Sequence, residues 1–117
     1  MGFATPGEGT VGPMKVKIIR QADNPEGSEL TATLVAAMRD EGFVCTEYEY
    51  AVGTYFAPHD HAVDKCDAVV AGCLRIVVDG TPYDLHPGDR IYLPAGTLHD
   101  ARVIGAHNVV SIDGQKP

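Results

Sequence analysis

The sequence predicts an all-β domain, an antiparallel sandwich or barrel, with one short helix near its N-terminus. Apolar residues recur at helical spacing only within about residues 28–41, and from Val44 onward they alternate with polar residues in stretches rich in β-formers. Gly or Pro interrupts this second part about every 6–12 residues. Asp79-Gly80 is a typical hairpin turn. On this pattern alone, a double-psi barrel or an immunoglobulin-like sandwich remains an alternative.

Length and charge narrow the class of protein. The 117 residues predict one domain. The formal net charge is −7 and the Lys and Arg residues are scattered, so we expect no nucleic-acid partner. No apolar run approaches the roughly 20 residues of a spanning helix, and the N-terminus lacks a signal-peptide pattern, so we expect a cytoplasmic protein without a membrane partner. Cys45, Cys66 and Cys73 form no Cys-x-x-Cys pair and are predicted to be free thiols.

The predicted helix, about residues 28–41, has signals at both ends. The turn cluster Asp23–Ser28 precedes it, and Gly42 follows it, where glycine accepts the left-handed conformation that ends many helices. Residues 1–13 are rich in Gly and Pro and predict a flexible arm, so the single domain covers residues 14–117. The apolar stripe of the helix consists of Leu30, Leu34, Val35 and Met38.

The remaining elements are predicted to be strands. A first strand, Met14–Arg20, precedes the helix, and the barrel covers about residues 44–112. Alternation along these segments gives each strand one face for a core and one face for solvent. The predicted barrel strands are 44–50, 68–71, 74–78, 81–85, 90–93, 98–104 and 108–112.

Four of the five histidines lie between Gly53 and His99, and three of these, His59, His61 and His99, are candidate metal ligands. If one strand carries His59 and His61, both side chains leave the same face, with their Cα atoms about 6.5–7 Å apart. Two imidazoles can bridge that separation to one metal ion. His99 closes the segment and is the third candidate ligand.

The spacing around these histidines resembles the two motifs of the cupin superfamily. The first motif reads Gly, five residues, His-x-His, three or four residues, Glu, six residues, Gly, and the second reads Gly, five residues, Pro-x-Gly, two residues, His, three residues, Asn. The resemblance covers about residues 44–112. The matching residues are Gly53, His59, His61, Lys65 and Gly72 in the first motif, and Gly88, Pro94, Gly96 and His99 in the second, with Val103 at the Asn position.

The resemblance implies a jelly-roll barrel with a pocket at one end, in which His59, His61 and His99 converge on a divalent transition metal. Neutral imidazoles suit Fe, Zn, Ni, Mn or Cu, and three protein ligands leave positions open for a small molecule. The resemblance also implies a homodimer, since small cupins are usually dimers. His86 and His107 lie outside both motifs and are not candidate ligands.

Lys65 stands where cupins usually carry a metal-binding glutamate. An ammonium group does not coordinate a metal, and a divalent cation repels it. Lys65 either turns away from a three-histidine site, or leaves coordination to a carboxylate of Asp64 or Asp67, or replaces the metal and holds an anionic ligand. An ion pair with Asp64 or Asp67 at the pocket rim is the simplest expectation.

Two classes of function are compatible with these residues. The first is a protein that binds a metal and a small molecule, either as a binding module or as a metal-dependent dioxygenase or isomerase. The second is a metal-free module that binds a small anion through Lys65. The candidate catalytic residues are Lys65 and Tyr55, which has the strand parity of His59 and is expected to face the pocket. Arg75 and Arg90 are further candidates for binding a carboxylate.

Overall fold

The computed structural model describes residues 16–20 and 25–117, so the predicted arm of residues 1–13 lies outside the described part of the chain. Within that part, no helix is both long and apolar enough to span a membrane. The elements are β1 (Lys17–Ile19), α1 (Gly27–Asp40), β2 (Val44–Tyr50), β3 (Tyr55–His59), β4 (Lys65–Ala71), β5 (Cys73–Val78), β6 (Thr81–Leu85), β7 (Arg90–Leu93), β8 (His99–Ile104) and β9 (Val109–Gln115).

The strands form two antiparallel sheets. One sheet has five strands in the order β1-β7-β4-β9-β2, and the other has four strands in the order β3-β8-β5-β6. Apolar side chains from both sheets pack together between them, which confirms the predicted jelly roll. The predicted barrel is not closed, however. In the described part of the chain, hydrogen-bonded ladders join strands only within each sheet, so the fold is a two-sheet sandwich with open edges.

Helix α1 covers the outer face of the five-stranded sheet. Leu30, Leu34 and Met38 are buried there at helical spacing, as the sequence predicts. Gly42 follows the helix with φ +96°, and its N–H donates to the carbonyl of Arg39. This conformation is costly for residues with a Cβ, so glycine ends the helix and turns the chain toward β2.

Strand β4 lies at the centre of the five-stranded sheet and separates two cores. Because side chains alternate along a strand, one set faces the other sheet and the next faces the helix. The helix-facing residues are Cys66, Ala68 and Val70, whereas Val69 packs between the sheets. Lys65 and Asp67 share the parity of Val69, so the polar residues of this strand face the interior of the sandwich.

Two strands extend three residues beyond a predicted end, and both changes affect the interior. Strand β4 begins at Lys65 rather than at Ala68, and β9 continues to Gln115 rather than ending at Ile112. Asp67 pairs directly with Asp113 across β4 and β9. The extended pairing therefore brings a second carboxyl group to the inner face of the sheet.

Candidate metal centre

The three motif histidines converge at one end of the sandwich. His59 is the last residue of β3 and pairs with His99, the first residue of β8. His61 follows in the loop after β3, so the expectation that one strand carries both His59 and His61 is wrong for His61. The loop is held in place because the N–H of Gly96 donates to the carbonyl of His61 at 2.8 Å.

The imidazole rings are close enough to share one ion. Their centroids lie 4.9 Å apart for His59 and His61, 4.4 Å for His59 and His99, and 5.4 Å for His61 and His99. One nitrogen from each ring lies within 4.8 Å of the other two. Nitrogens bound to one ion at about 2.1 Å lie roughly 3.4 Å from one another, so small ring rotations complete the site. The donor set fits a divalent transition metal.

Backbone carbonyls orient two of the three rings. Nδ1 of His59 lies 2.6 Å from the carbonyl oxygen of Ala57, and Nδ1 of His99 lies 2.9 Å from that of Thr97. A carbonyl oxygen only accepts, so Nδ1 carries the proton and donates in both hydrogen bonds. In the neutral form of such a ring, Nε2 carries no proton and is available to a metal, an arrangement typical of metal-binding histidines.

The surroundings favour the neutral form of two of the histidines. Burial is the largest cause that lowers the pKa of His61, and Lys65 lowers it further. Burial likewise lowers the pKa of His99, although its hydrogen bond to Thr97 acts in the opposite direction. The neutral imidazole is the form that binds a metal, so the site is prepared for coordination near neutral pH.

A cavity of about 330 Å³ lies beside the histidines, between the two sheets. The four-stranded sheet supplies mainly apolar side chains to it, and the five-stranded sheet supplies mainly polar ones. This volume suits a small molecule with one apolar and one oxygen-rich side. The lining residues are Tyr48, Tyr50, Phe56, His59, His61, Lys65, Asp67, Leu74, Ile76, His99, Ala101, Ser111, Asp113 and Gln115.

Lys65 lines this cavity and is almost fully buried, with 5 % of its side chain exposed. Its ammonium forms an ion pair with Asp113 and lies 4.0 Å from Oδ1 of Asp67. Asp67 is one of the two expected partners, whereas Asp113 was missed because the predicted last strand ended one residue before it. Burial raises the pKa of Asp67 well above its ordinary value, and the like charge of Asp113 raises it further.

Asp64, the other expected partner of Lys65, has a different role. Its carboxylate accepts a hydrogen bond from the backbone N–H of Ala95 at 2.8 Å. Its backbone carbonyl accepts another from the N–H of Lys116. Asp64 therefore ties the loop between β3 and β4, within the first motif, to the turn of the second motif, and it is not among the residues lining the cavity.

The prediction that Tyr55 faces the pocket is wrong. The register between β3 and β8 shifts between Phe56 and His59, so Tyr55 and His59 do not share a face. The side chain of Tyr55 is 48 % exposed, and its ring lies 4.7 Å from the guanidinium of Arg102. Phe56 takes its place in the cavity wall.

The two arginines considered as carboxylate-binding residues also lie away from the cavity. Arg75 forms a two-point ion pair with Asp84, at 2.8 and 3.1 Å. Arg90 is buried on the helix-facing side of the sheet, with Nη1 3.8 Å from a carboxylate oxygen of Glu41. Neither lines the cavity beside the histidines. The three cysteines are free thiols, as predicted.

Part of the chain is similar in sequence to two curated proteins. The curated relatives that match are acireductone dioxygenases from two strains of Rhodopseudomonas palustris, TIE-1 and ATCC BAA-98 / CGA009, each 38 % identical over 58 residues. The match covers 46 % of this chain and 35 % of the relative, so this chain spans about a third of the length of the dioxygenases.

Solved structures extend the likeness to most of the chain. KdgF from Halomonas sp. superimposes with a TM-score of 0.57 at 20 % identity, covering 93 % of this chain and 84 % of that one. An RmlC-like cupin from Shewanella frigidimarina gives a TM-score of 0.58 at 24 % identity, over 65 % and 67 % of the two chains. The polyketide cyclase RemF from Streptomyces resistomycificus gives a TM-score of 0.57 at 24 % identity, covering 62 % of this chain and 53 % of that one. These similarities show the fold.

The family itself is shown by the sequence. Residues 46–113 match the cupin domain, which is more than half of the chain. That range contains both histidine motifs, strands β3 to β8 and most of β2 and β9. The chain belongs to the cupin superfamily.

Proposed function

We propose that the protein binds one divalent transition metal through His59, His61 and His99, and that a small molecule occupies the adjoining cavity. The observation that carries this proposal is the convergence of three imidazoles on the wall of one cavity, with Nδ1 of two rings hydrogen-bonded to backbone carbonyls. Three protein ligands leave coordination positions facing the cavity.

The residues around the three histidines would have different roles toward a bound small molecule. A bound metal supplies Lewis-acid chemistry, or redox chemistry if it is iron, copper or manganese. The apolar wall of the cavity includes Phe56, Leu74 and Ile76. Such a wall excludes water from its side of the cavity, and the lower polarity strengthens electrostatic interactions there. Tyr50 presents a hydroxyl group on the wall formed by the other sheet. The hydroxyl of Ser111, on the same wall, donates to the carbonyl of Ala68 at 3.0 Å, so its oxygen is left to accept. These polar groups would orient an oxygen-bearing ligand toward the histidines.

A metal-dependent dioxygenase or isomerase is the more specific form of this proposal. The partial similarity to acireductone dioxygenases supports it, with a match that covers 46 % of this chain. The metal-free alternative, in which Lys65 holds an anion, receives less support. The charge of Lys65 is already balanced by Asp113, so it is not a free cation. Homodimer formation and a cytoplasmic location stay predictions from the sequence.

The test is the metal content of the purified protein, measured by elemental analysis after reloading with each candidate ion. We expect about one ion per chain for the wild type and less than about a tenth of that for His59→Ala and His99→Ala. His107→Ala is the matched control, because His107 is exposed and lies outside the cluster. Its metal content should equal that of the wild type.

Two results would contradict the proposal. If the wild type takes up no metal, the three-histidine centre is not a metal site. If His99→Ala keeps its full metal content, the ion is bound elsewhere. Oxygen uptake or turnover with small keto acids, phenols and thiols then separates the enzyme from the binding module, since only the enzyme consumes them.

A further inference from the structure

Besides the three proposed metal ligands, the cavity wall carries a second cluster of polar residues. Lys65 and Asp67 on β4 and Asp113 on β9 line its wall on the five-stranded sheet, and we call them the acid–lysine cluster. Lys65 and Asp113 also act electrostatically on the His61 imidazole, so the cluster and the metal centre share one environment.

The two carboxyl groups of the cluster are placed so that they retain a proton. Asp67 and Asp113 are direct cross-strand partners, and both carboxyl groups lie beside the one ammonium group of Lys65. Two carboxylates sharing one site resist ionising together. Lys65 supplies only one positive charge and is already paired with Asp113, so a proton on Asp67 balances the cluster.

The protein itself leaves this carboxyl group incompletely satisfied. Oδ1 of Asp67 is buried and has no hydrogen-bond partner among the described residues. A buried polar atom without a partner costs free energy, and such atoms are informative about ligands. The titratable groups that face Asp67 across the cavity or along the sheet are Lys65, Asp113, Tyr48, Tyr50, His59, His61 and His99, while β7 places Ile91 opposite it.

We propose that Asp67, paired with Asp113 and Lys65, is the proton donor of the cavity and acts on an oxygen atom of an anionic small molecule held at the histidines. This inference rests on the proposed function. In the step, the O–H bond of Asp67 breaks and its proton bonds to a lone pair of the ligand oxygen. The electron pair stays on Asp67, whose new charge lies beside the ammonium of Lys65. A proton from water restores the pair after the neutral product leaves.

The first test detects the shared proton in metal-free protein by infrared spectroscopy at neutral pH. Every ordinary carboxyl group is ionised there, so a protonated-carboxyl C=O band stands out. We expect the band in the wild type and its loss in Asp67→Asn and in Asp113→Asn, because a single carboxylate beside Lys65 ionises. Asp64→Asn is the control that keeps the band, since Asp64 pairs with backbone N–H. Lys65→Met should keep the band to higher pH.

The second test uses oxalate as an anionic probe of zinc-loaded protein. We expect the affinity of the wild type to fall at least about fivefold between about pH 7 and about pH 9, as the carboxyl pair loses its proton and repels the probe. In Asp67→Asn the amide still donates and carries no charge, so the affinity should change less than about twofold over the same range. Isothermal titration calorimetry measures both.

The outcomes separate this inference from the proposed function. Absence of the protonated-carboxyl band in the wild type overturns the inference, and so does an equal pH dependence of oxalate binding in the wild type and Asp67→Asn. If the wild type shows the band but binds no zinc, the proposed function is overturned. The proton shared by the two carboxyl groups would then still be present, but no ligand held at the histidines could receive it.

Discussion

At the scale of single residues, the ion pair of Lys65 with Asp113 places two charged groups in the interior of the sandwich. An ammonium that is 5 % exposed has lost most of its hydration, and it is tolerated because a carboxylate lies directly beside it. Removing one partner of a buried ion pair leaves the charge of the other uncompensated. This lowers the free energy of unfolding much more than replacing both partners by apolar groups does. This asymmetry gives a test of the pair.

We predict that Lys65→Met lowers the free energy of unfolding by about 3 kcal/mol, and that the double variant Lys65→Met/Asp113→Leu recovers most of this loss. Urea denaturation at neutral pH measures both. Arg75→Met is the control, because the Arg75–Asp84 pair is exposed and its loss should change stability far less. A Lys65→Met protein that is as stable as Arg75→Met would contradict a structural role for the buried pair.

At the scale of elements, the junction between β4 and β5 is set by one glycine of the first motif. Gly72 has φ +80°, and a Cβ placed there would lie 2.4 Å from the backbone oxygen of Asn108. The close approach lets the chain before β9 pass against the β4–β5 turn. Gly72 is therefore required both for its conformation and for its lack of a side chain.

We predict that Gly72→Ala destabilises the protein by about 3 kcal/mol or more, because the clash adds to the cost of about 1–2 kcal/mol for a left-handed residue with a Cβ. Gly105→Ala is the matched control. Gly105 has φ +83°, and a Cβ added there would meet nothing within 4 Å, so only the conformational cost applies. Equal losses in the two variants, measured by urea denaturation, would show that the contact with Asn108 relaxes.

Sequence reasoning predicted the elements well where alternation was regular, and failed where a local feature broke it. Tyr55 was misplaced because the bulge between Phe56 and His59 leaves no mark in the pattern. Asp113 was missed because Asp113-Gly114 has the composition of a turn. In the structure Gly114 continues the strand, and a Cβ there would lie 2.8 Å from both the carbonyl oxygen of Cys66 and Cε of Met38.

At the scale of the whole molecule, the fold has three layers with different tasks. Helix α1 and the outer face of the five-stranded sheet enclose one apolar core, and the two sheets enclose the other together with the cavity. The three-histidine cluster and the acid–lysine cluster both lie in the second compartment. Strand β4 is shared, so the helix layer supports the site only through the sheet.

This separation predicts that stability and metal binding respond differently to changes in the helix layer. Leu34 is 1 % exposed and belongs to the helix-side core. Leu34→Ala should cost about 2–5 kcal/mol of stability, while the folded protein keeps the metal content of the wild type. Thermal unfolding and elemental analysis test this, with Ile76→Ala, in the cavity wall, as the comparison. Loss of metal from folded Leu34→Ala would show that the layers are coupled.

The position of Asp113 also limits how far the chain can be trimmed. Every residue that matches the two motifs lies at or before His99, and the predicted last strand ends at Ile112. A protein shortened to residue 112 would keep all three histidines and both motifs, yet it would lose Asp113, the ion-pair partner of Lys65. Domain borders drawn from recognisable motifs would therefore produce a fragment in which Asp67 is the one carboxyl group left in the acid–lysine cluster.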